Sequence, residues 1–166
     1  MEKQANDLSK YRYEKAVQCV NSARYVMGIK DYNLVSNRAY YAIFHAMRAV
    51  LALEEKDFEK HSAVISYFRK EYIKTLLFPV EASRIIGNAF DLRNESDYRD
   101  WCEVSQEEAE FQLQSAERFL EMTKEYLDSK DVLWKAANEN HKLSRLIATY
   151  DWEYSSKPPA EDKLLK

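Results

Sequence analysis

The sequence is poor in the residues that interrupt regular secondary structure. Only two glycines and three prolines occur among its 166 residues. β-Sandwiches and barrels need many tight turns, and tight turns depend on these two residue types. The phosphate-binding loops of NTPases and of dinucleotide-binding enzymes also need closely spaced glycines. The scarcity of both residues therefore predicts an all-α fold and excludes both kinds of glycine-rich loop.

Cysteine is also scarce, and long apolar runs are missing. Cys19 and Cys102 lie far apart and form no CxxC pair, which is typical of thiols in a reducing compartment rather than of a disulfide framework or a zinc site. No apolar run approaches the roughly 20 residues of a membrane-spanning helix, and the N-terminal stretch lacks the apolar core of a signal peptide. We therefore expect a cytoplasmic protein that does not cross a membrane.

Charge of one sign does not dominate either. The chain has 25 basic and 28 acidic residues and a net charge of −3, so nucleic acid would have to bind to a local patch. A di-iron bundle would carry Glu three residues before His, but Ala42, Phe58 and Asn138 occupy those positions. Clustered zinc ligands are missing as well. We expect no metal and no cofactor.

Apolar residues recur with helical spacing in five segments, and a sixth follows beyond Lys130. The predicted helices cover about Ser9–Gly28, Tyr32–Glu54, Ser62–Tyr72, a stretch that begins at Pro79, and Ser105–Leu127. Ser62 is the predicted cap of the third helix, and Ser105 with Glu108 forms a capping box before the fifth. These boundaries predict a bundle of four to five helices over residues 1–130, a C-terminal helical appendage over 131–154 and a flexible tail over 155–166.

The second helix is apolar on two sides, since Tyr40 and Phe44 point away from its main apolar face. It should therefore lie centrally in the bundle or at a subunit interface. A polar stripe runs between the two sides and supplies the first candidate binding residues: Arg38, Tyr41, His45 and Arg48. The alternative is that Tyr41 and His45 hydrogen-bond to each other inside a packed helix.

The fourth helix carries a cation on its apolar stripe. Ala82, Ile85, Ile86, Ala89 and Phe90 define the stripe, and Arg93 is its next member. Burying an unpaired guanidinium costs several kcal/mol, so Arg93 must meet a carboxylate, backbone carbonyls or an open cleft. Asp97, one turn later, offers a structural ion pair, and a ligand-binding cleft is the alternative.

Basic and aromatic residues also alternate in the third helix, in the stretch Tyr67-Phe68-Arg69-Lys70-Glu71-Tyr72. Such a stretch can stack bases or bind phosphates. The alternative is a solvated helix edge on which tyrosine and lysine stems cover the core.

Two of these stretches resemble the HEPN superfamily. They are Arg38-Ala39-Tyr40-Tyr41-Ala42-Ile43-Phe44-His45-Ala46 on the second helix and Leu92-Arg93-Asn94-Glu95-Ser96-Asp97-Tyr98 on the fourth. They look like the RxYYAxFH-like helix and the R-x-x-x-D-Y ending of small stand-alone HEPN proteins, and the resemblance covers roughly residues 9–128. It implies an up-and-down bundle that dimerises, with the polar motifs of both subunits meeting in a cleft.

The resemblance also implies a function. Many HEPN proteins are metal-independent endoribonucleases, often toxins that a small nucleotidyltransferase neutralises, with the motif R-x(4–6)-H and a polar residue after the arginine. Arg93 and Asn94 match its first half, but Tyr98, Arg99 and Asp100 stand where the histidine is expected. A phenol, with a pKa near 10, is a weak base at pH 7. The histidine that would move protons is therefore missing from the motif.

Three interpretations remain open, and the third is a purely structural bundle in which Arg93→Ala changes stability alone. In the first, the protein acts on RNA as the toxin of a toxin–antitoxin module, with Arg93, Asn94 and Tyr98 as catalytic residues and Asp97 shaping the cleft. Arg38 and His45 also fit R-x(6)-H, so His45 would supply the imidazole if the second helix faces Arg93, while His61 is interpreted as a helix-start residue. In the second, the cleft is a non-catalytic module that binds a nucleotide or a partner protein.

Overall fold

A computed structural model describes residues 2–98, 103–130 and 132. In chain order, its helices are α1 (Glu2–Gly28), α2 (Tyr32–Ala52), α3 (His61–Phe68), which continues as a π-helix (Arg69–Ile73), α4 (Glu81–Tyr98) and α5 (Gln106–Ser129). The described ranges contain no strand. The all-α prediction is confirmed, and the helices form a bundle.

Helix α2 lies at the centre of this bundle, as its two apolar sides predict. It contacts α1, α3, α4 and α5. Tyr40 and Phe44 are only 2% and 4% exposed, and Ala39 and Ala49 are fully buried. The Ser9 hydroxyl on α1 donates to the Ala49 carbonyl at 2.7 Å, so α1 approaches α2 closely where the side chains are small.

Aromatic side chains fill the core between the α3–α4 region and α5. Phe68 contacts Tyr72, Phe78 and Phe119 with ring centroids 4.9–5.8 Å apart, and Tyr126 lies 5.3 Å from Phe78. Burying a side chain of this size contributes about 1.5–3 kcal/mol. This aromatic core therefore anchors α3 and its π-helical extension to α5, and with them the residue at the start of α3.

Helix ends agree with the sequence in part. The capping box of α5 is confirmed: Ser105 Oγ accepts from the Glu108 amide at 3.2 Å, and Glu108 accepts from the Ser105 amide at 2.8 Å. Helix α1 ends at Gly28 as predicted, while the left-handed conformation (φ 62°) falls on Lys30. A cap of α2 that was not predicted is Asp31, which accepts from the Leu34 amide at 3.1 Å.

Two predicted helix starts are wrong. Helix α3 begins at His61 rather than at Ser62, because the N-cap residue is Lys60, whose backbone is extended (φ −89°, ψ 131°). Helix α4 begins at Glu81 rather than at Pro79, because the Pro79 carbonyl first accepts from the Ala82 amide (3.0 Å) in a tighter turn. The first correction matters for the site, since it makes His61 the first helical residue.

The predicted appendage over 131–154 and tail over 155–166 fall outside the described residues, apart from Val132, as do Cys102 and His141. The compact unit that contains the bundle ends at Val132. Among the described helices, none combines the length and the apolar character that a bilayer crossing requires.

Candidate functional site

The guanidinium of Arg93 lies against two tyrosines and a histidine. Its central carbon is 4.8 Å from the ring centroid of Tyr40 and 5.6 Å from that of Tyr41, both on α2. Arg93 Nη1 lies 3.2 Å from His61 Nδ1, and Tyr40 Oη lies 2.8 Å from the same nitrogen. These four residues, here called the His61–Arg93 cluster, unite α2, α3 and α4. The cation on the apolar stripe of α4 thus reaches an aromatic and imidazole surface.

The tautomer of His61 follows from its partners. A guanidinium can only donate hydrogen bonds, so His61 Nδ1 accepts and the ring proton of the neutral form is assigned to Nε2. Burial of the ring, and then the positive charges of Arg93 and Arg48, lower the pKa of His61 below its usual 6.5. At neutral pH His61 is therefore an uncharged imidazole beside a permanent cation.

Aromatic rings of α2 fix the orientation of this imidazole. The Phe44 ring lies nearly parallel to the His61 ring, with centroids 4.0 Å apart and an interplanar angle of 25°. Tyr40 is also nearly parallel to the His61 ring, at 5.9 Å and 23°. Because Tyr40 and Phe44 are buried, they form a rigid support for the imidazole.

Arg12, Asp57 and Arg48 form an ion-pair network on the elements that carry the cluster. Arg48 Nη2 donates to both carboxylate oxygens of Asp57 (2.9 and 2.8 Å), and Arg12 Nη2 donates to the same carboxylate. Arg12 Nη1 also donates to the Arg48 carbonyl at 3.2 Å. Burial by itself would raise the pKa of Asp57, but the hydrogen bonds from Arg48 and Arg12 outweigh it and lower that pKa. This Arg12–Asp57–Arg48 network joins α1, α2 and the segment that leads into His61.

The residues of the predicted polar stripe lie around the cluster. The Arg38 guanidinium donates to Asn37 Oδ1 (2.9 Å) and lies 5.7 Å from the Tyr41 ring centroid. Half-buried His45 contacts the rings of Tyr41 and Phe44 at 6.3 and 6.1 Å. Burial, followed by the charge of Arg48, lowers the pKa of His45. The imidazole within hydrogen-bonding distance of Arg93 is that of His61, however, and the role predicted for His45 stays a prediction.

The end of α4 carries the other predicted site residues. Asn94 follows Arg93 and is half-buried. Asp97 and Tyr98 belong to the last turn of α4, but their side chains lie outside the described part of the structure, so the Arg93–Asp97 pair and the role of Tyr98 stay predictions. The described residues contain no group of His, Cys, Asp and Glu side chains that is placed to hold a metal ion.

Sequence reasoning missed the contact of His61 with Arg93. It correctly placed His61 at a helix start, yet 32 positions separate the two residues, and no spacing motif spans that distance. A weak signal was available. His61 is one of only three histidines, and a side chain in the first turn of a short helix is free to reach a neighbouring helix.

The fold and the cluster define a small all-α domain with an arginine–histidine pair held on an aromatic helix. The model of the HEPN domain matches residues 9–126, and the chain belongs to this family. It is 36% identical over 129 residues to “Putative toxin MJ0142” of Methanocaldococcus jannaschii, which covers 78% of this chain and 87% of that relative. A second relative from the same organism, “Putative toxin MJ0605”, is 32% identical over 120 residues, which are 72% of this chain and 87% of that relative. A UPF0332 protein of Thermotoga maritima is 27% identical over 118 residues, which are 71% of this chain and 89% of that protein.

Proposed function

We propose that this protein is a HEPN toxin that binds and cleaves RNA at the His61–Arg93 cluster. The observation that carries the proposal is the 3.2 Å approach of the Arg93 guanidinium to an uncharged imidazole. RNA cleavage needs a cation for the phosphate and a proton acceptor for the 2′-hydroxyl, and this pair supplies both. The family, and the word toxin in the names of two relatives, support the same conclusion.

Cleavage would proceed by attack of the ribose 2′-oxygen on the adjacent phosphorus, with loss of the 5′-oxygen of the next nucleotide. Arg93 binds the non-bridging phosphate oxygens and stabilises the charge that grows on them. When the N–H groups of Arg93 turn to the phosphate and the Tyr40 hydroxyl releases its hydrogen bond to the same nitrogen, the lone pair of His61 Nδ1 can accept the 2′-hydroxyl proton. The products are a 2′,3′-cyclic phosphate and a 5′-hydroxyl.

The leaving 5′-oxygen needs a proton, and the predicted catalytic residue Tyr98 fits that step better than the role of base. A phenol with an ordinary pKa near 10 is protonated at neutral pH, so it can donate to an alkoxide. Asn94 would hydrogen-bond the same phosphate, and Asp97 would orient Arg93. Arg38 would bind a neighbouring phosphate, whereas Arg48 is engaged with Asp57 and acts as a positioning residue.

A toxin of this kind acts within a module, and the sequence predicts its partners. We propose a cytoplasmic homodimer that a minimal nucleotidyltransferase neutralises. The second candidate function, a non-catalytic module that binds nucleotides, is favoured by one observation: two donors, Arg93 and Tyr40, already surround the basic nitrogen of His61.

Purified protein and a labelled RNA oligonucleotide test the proposal. We expect His61→Ala and Arg93→Ala to lower the cleavage rate by about 100-fold or more, the usual contribution of an acid–base or oxyanion-stabilising group. His45→Ala, the matched control, should stay within a few-fold of the wild type. Arg93→Lys preserves the charge and covers the case in which Arg93→Ala does not fold.

Circular dichroism and the melting temperature establish that each variant is folded. If His45→Ala abolishes cleavage and His61→Ala does not, the assignment of the base to His61 is wrong. If the wild type binds RNA through Arg93 but never cleaves it, the non-catalytic interpretation replaces the nuclease.

A further inference from the structure

A groove lies between α3, its π-helical extension and α4. Its volume is about 570 Å³, and its lining includes Ser62, Ser66, Arg69, Lys70, Lys74 and Gly87. Ser62 directly follows His61, and Phe90, also in the lining, lies 6.4 Å from the Tyr40 ring. The groove therefore has two lining residues, Ser62 and Phe90, next to residues of the His61–Arg93 cluster.

The lining of the groove is basic. Arg69, Lys70 and Lys74 carry three positive charges, and Asp91 contributes the one negative charge in the lining. The π-helical turn explains why these residues lie together: the Lys74 amide donates to the Arg69 carbonyl five residues earlier, at 3.0 Å. The wider turn brings Lys74 to the same side as Arg69 and Lys70. Lys70 also pairs with Glu71, at 2.9 Å on the rim.

Gly87 adapts α4 to this arrangement. Arg69 Nη2 donates to the Ser83 carbonyl on α4 at 3.2 Å, and a Cβ at position 87 would lie 3.2 Å from the same nitrogen. Glycine inside a helix costs about 0.5–1 kcal/mol relative to alanine. Because Gly87 has no side chain, the Arg69 guanidinium has room to lie against α4, between the two walls of the groove.

The length of the groove suits a strand rather than a single phosphate. Ser62 and Lys70 are eight residues apart, which is about 12 Å along a helix at 1.5 Å per residue. At about 3.4 Å per stacked nucleotide, this distance corresponds to roughly three nucleotides. A basic groove with an aromatic ring on its surface, here Phe90, is how proteins bind single-stranded nucleic acid without reading its sequence.

We propose, resting on the proposed function, that this α3–α4 groove binds the phosphates of the RNA strand that flank the scissile one. Lys70 and Lys74 contact the backbone from the rim, and Arg69 holds a phosphate at the wall of α4. The basic and aromatic stretch of the third helix thereby acquires a role separate from the chemistry at Arg93.

The test compares the double variant Lys70→Gln/Lys74→Gln with Lys3→Gln/Lys10→Gln, which removes the same charge from α1. Fluorescence anisotropy measures the binding of a non-cleavable 2′-O-methyl RNA decamer, of the matching dinucleotide and of ATP. We expect the groove variant to bind the decamer about tenfold more weakly at low salt. The plot of log K against log salt concentration should become less steep by about 1.4, because each of the two lost phosphate contacts removes about 0.7 from the slope. Dinucleotide binding should not change, and the α1 variant should resemble the wild type.

Three results would overturn the inference. The first is an unchanged Kd for the decamer in the groove variant, and the second is an equal loss of decamer affinity in both double variants. The third is ATP binding that is as tight as decamer binding and equally sensitive to Lys70 and Lys74. The last result would assign the groove to free nucleotides. A failure of the proposed function is distinguishable, because wild-type protein would then bind the decamer through the groove without cleaving an RNA substrate. If cleavage depends on Arg93 while the groove variant binds normally, only the inference fails.

Discussion

His61 combines three properties that suit a proton acceptor. It is uncharged at neutral pH, its ring is stacked on a buried phenylalanine, and its basic nitrogen lies 3.2 Å from a guanidinium. A base needs a lone pair at working pH, and burial, followed by the charge of Arg93, lowers the pKa of His61 so that its ring stays unprotonated at neutral pH. In the proposed mechanism the same cation would bind the phosphate, so one arginine would serve both substrate and base.

The titration of His61 tests this arrangement directly. NMR of the imidazole carbons should give a midpoint below pH 6.5, and Arg93→Gln should raise it, because that variant removes the nearest positive charge while burial persists. Arg38→Gln is the matched control and should leave the midpoint unchanged, since Arg38 does not act on this ring. A midpoint at or above 6.5 in the wild type would contradict the geometry.

The sequence predicted part of the site at this scale. A guanidinium on an apolar stripe must have partners, so Arg93 was identifiable from helical spacing alone. The identity of the partner was not, because His61 lies in another helix and the contact depends on how α3 packs on α2. Helical periodicity gives the face that a residue occupies, but the neighbour on that face is decided by tertiary packing.

At the level of elements, the Arg12–Asp57–Arg48 network lies at the connection that leads into α3. It connects α1 and α2 to the segment before Lys60, and the Phe58 amide also donates to Asp57 Oδ1 at 3.0 Å. Arg12 is 9% exposed at its side chain, while Asp57 is half-exposed. The network thus orders a connection that carries little apolar surface of its own.

Asp57→Asn should destabilise the protein modestly and impair the site more strongly. Solvent screens the half-exposed carboxylate, so the free energy of unfolding at pH 7 should fall by only about 1 kcal/mol. RNA cleavage should fall about tenfold, because His61 loses its fixed position. Urea unfolding and cleavage kinetics measure the two effects, with Glu117→Gln, which breaks the exposed Arg24–Glu117 pair, as control.

Equal and small changes in both Asp57→Asn and the control would show that the network does not position His61. A large loss of stability with an unchanged rate in the folded fraction would show the same.

Some helices could be predicted from local sequence and others could not. The central position of α2 and the capping box of α5 follow from patterns within a few residues, and both are confirmed. The π-helix at Arg69–Ile73 is different. Its hydrogen bonds skip one residue more than those of an α-helix. The rings of Phe68, Tyr72 and Phe78 contact Phe119 and Tyr126 of α5 around this turn, and such contacts cannot be read from the residues of the turn.

At the level of the whole molecule, the two half-buried histidines couple folding to pH. Both His45 and His61 have pKa values lowered from 6.5, so the unfolded chain binds protons more readily than the folded one. Stability contributed by these groups is complete above pH 6.5 and is lost as the pH falls through that value toward their folded-state pKa values. Asp57, whose pKa is lowered as well, keeps its contribution until the pH falls below the range of ordinary carboxylates.

The melting temperature should therefore fall by a few degrees between pH 7 and pH 5, before carboxylates begin to titrate. Differential scanning calorimetry in buffers of matched ionic strength measures it. His45→Asn should reduce the drop, because one of the two proton-binding groups is gone. A melting temperature that is constant, or rises, over this interval would contradict the lowered pKa values of both histidines.

The separation of the cluster along the chain has a consequence for how the protein is made. Tyr40 precedes His61 by 21 residues, and His61 precedes Arg93 by 32. At a synthesis rate of about 5–20 residues per second, roughly 2–6 seconds pass between the addition of His61 and that of Arg93. A nascent chain on the ribosome therefore carries no assembled His61–Arg93 cluster until α4 has emerged and docked on α2 and α3.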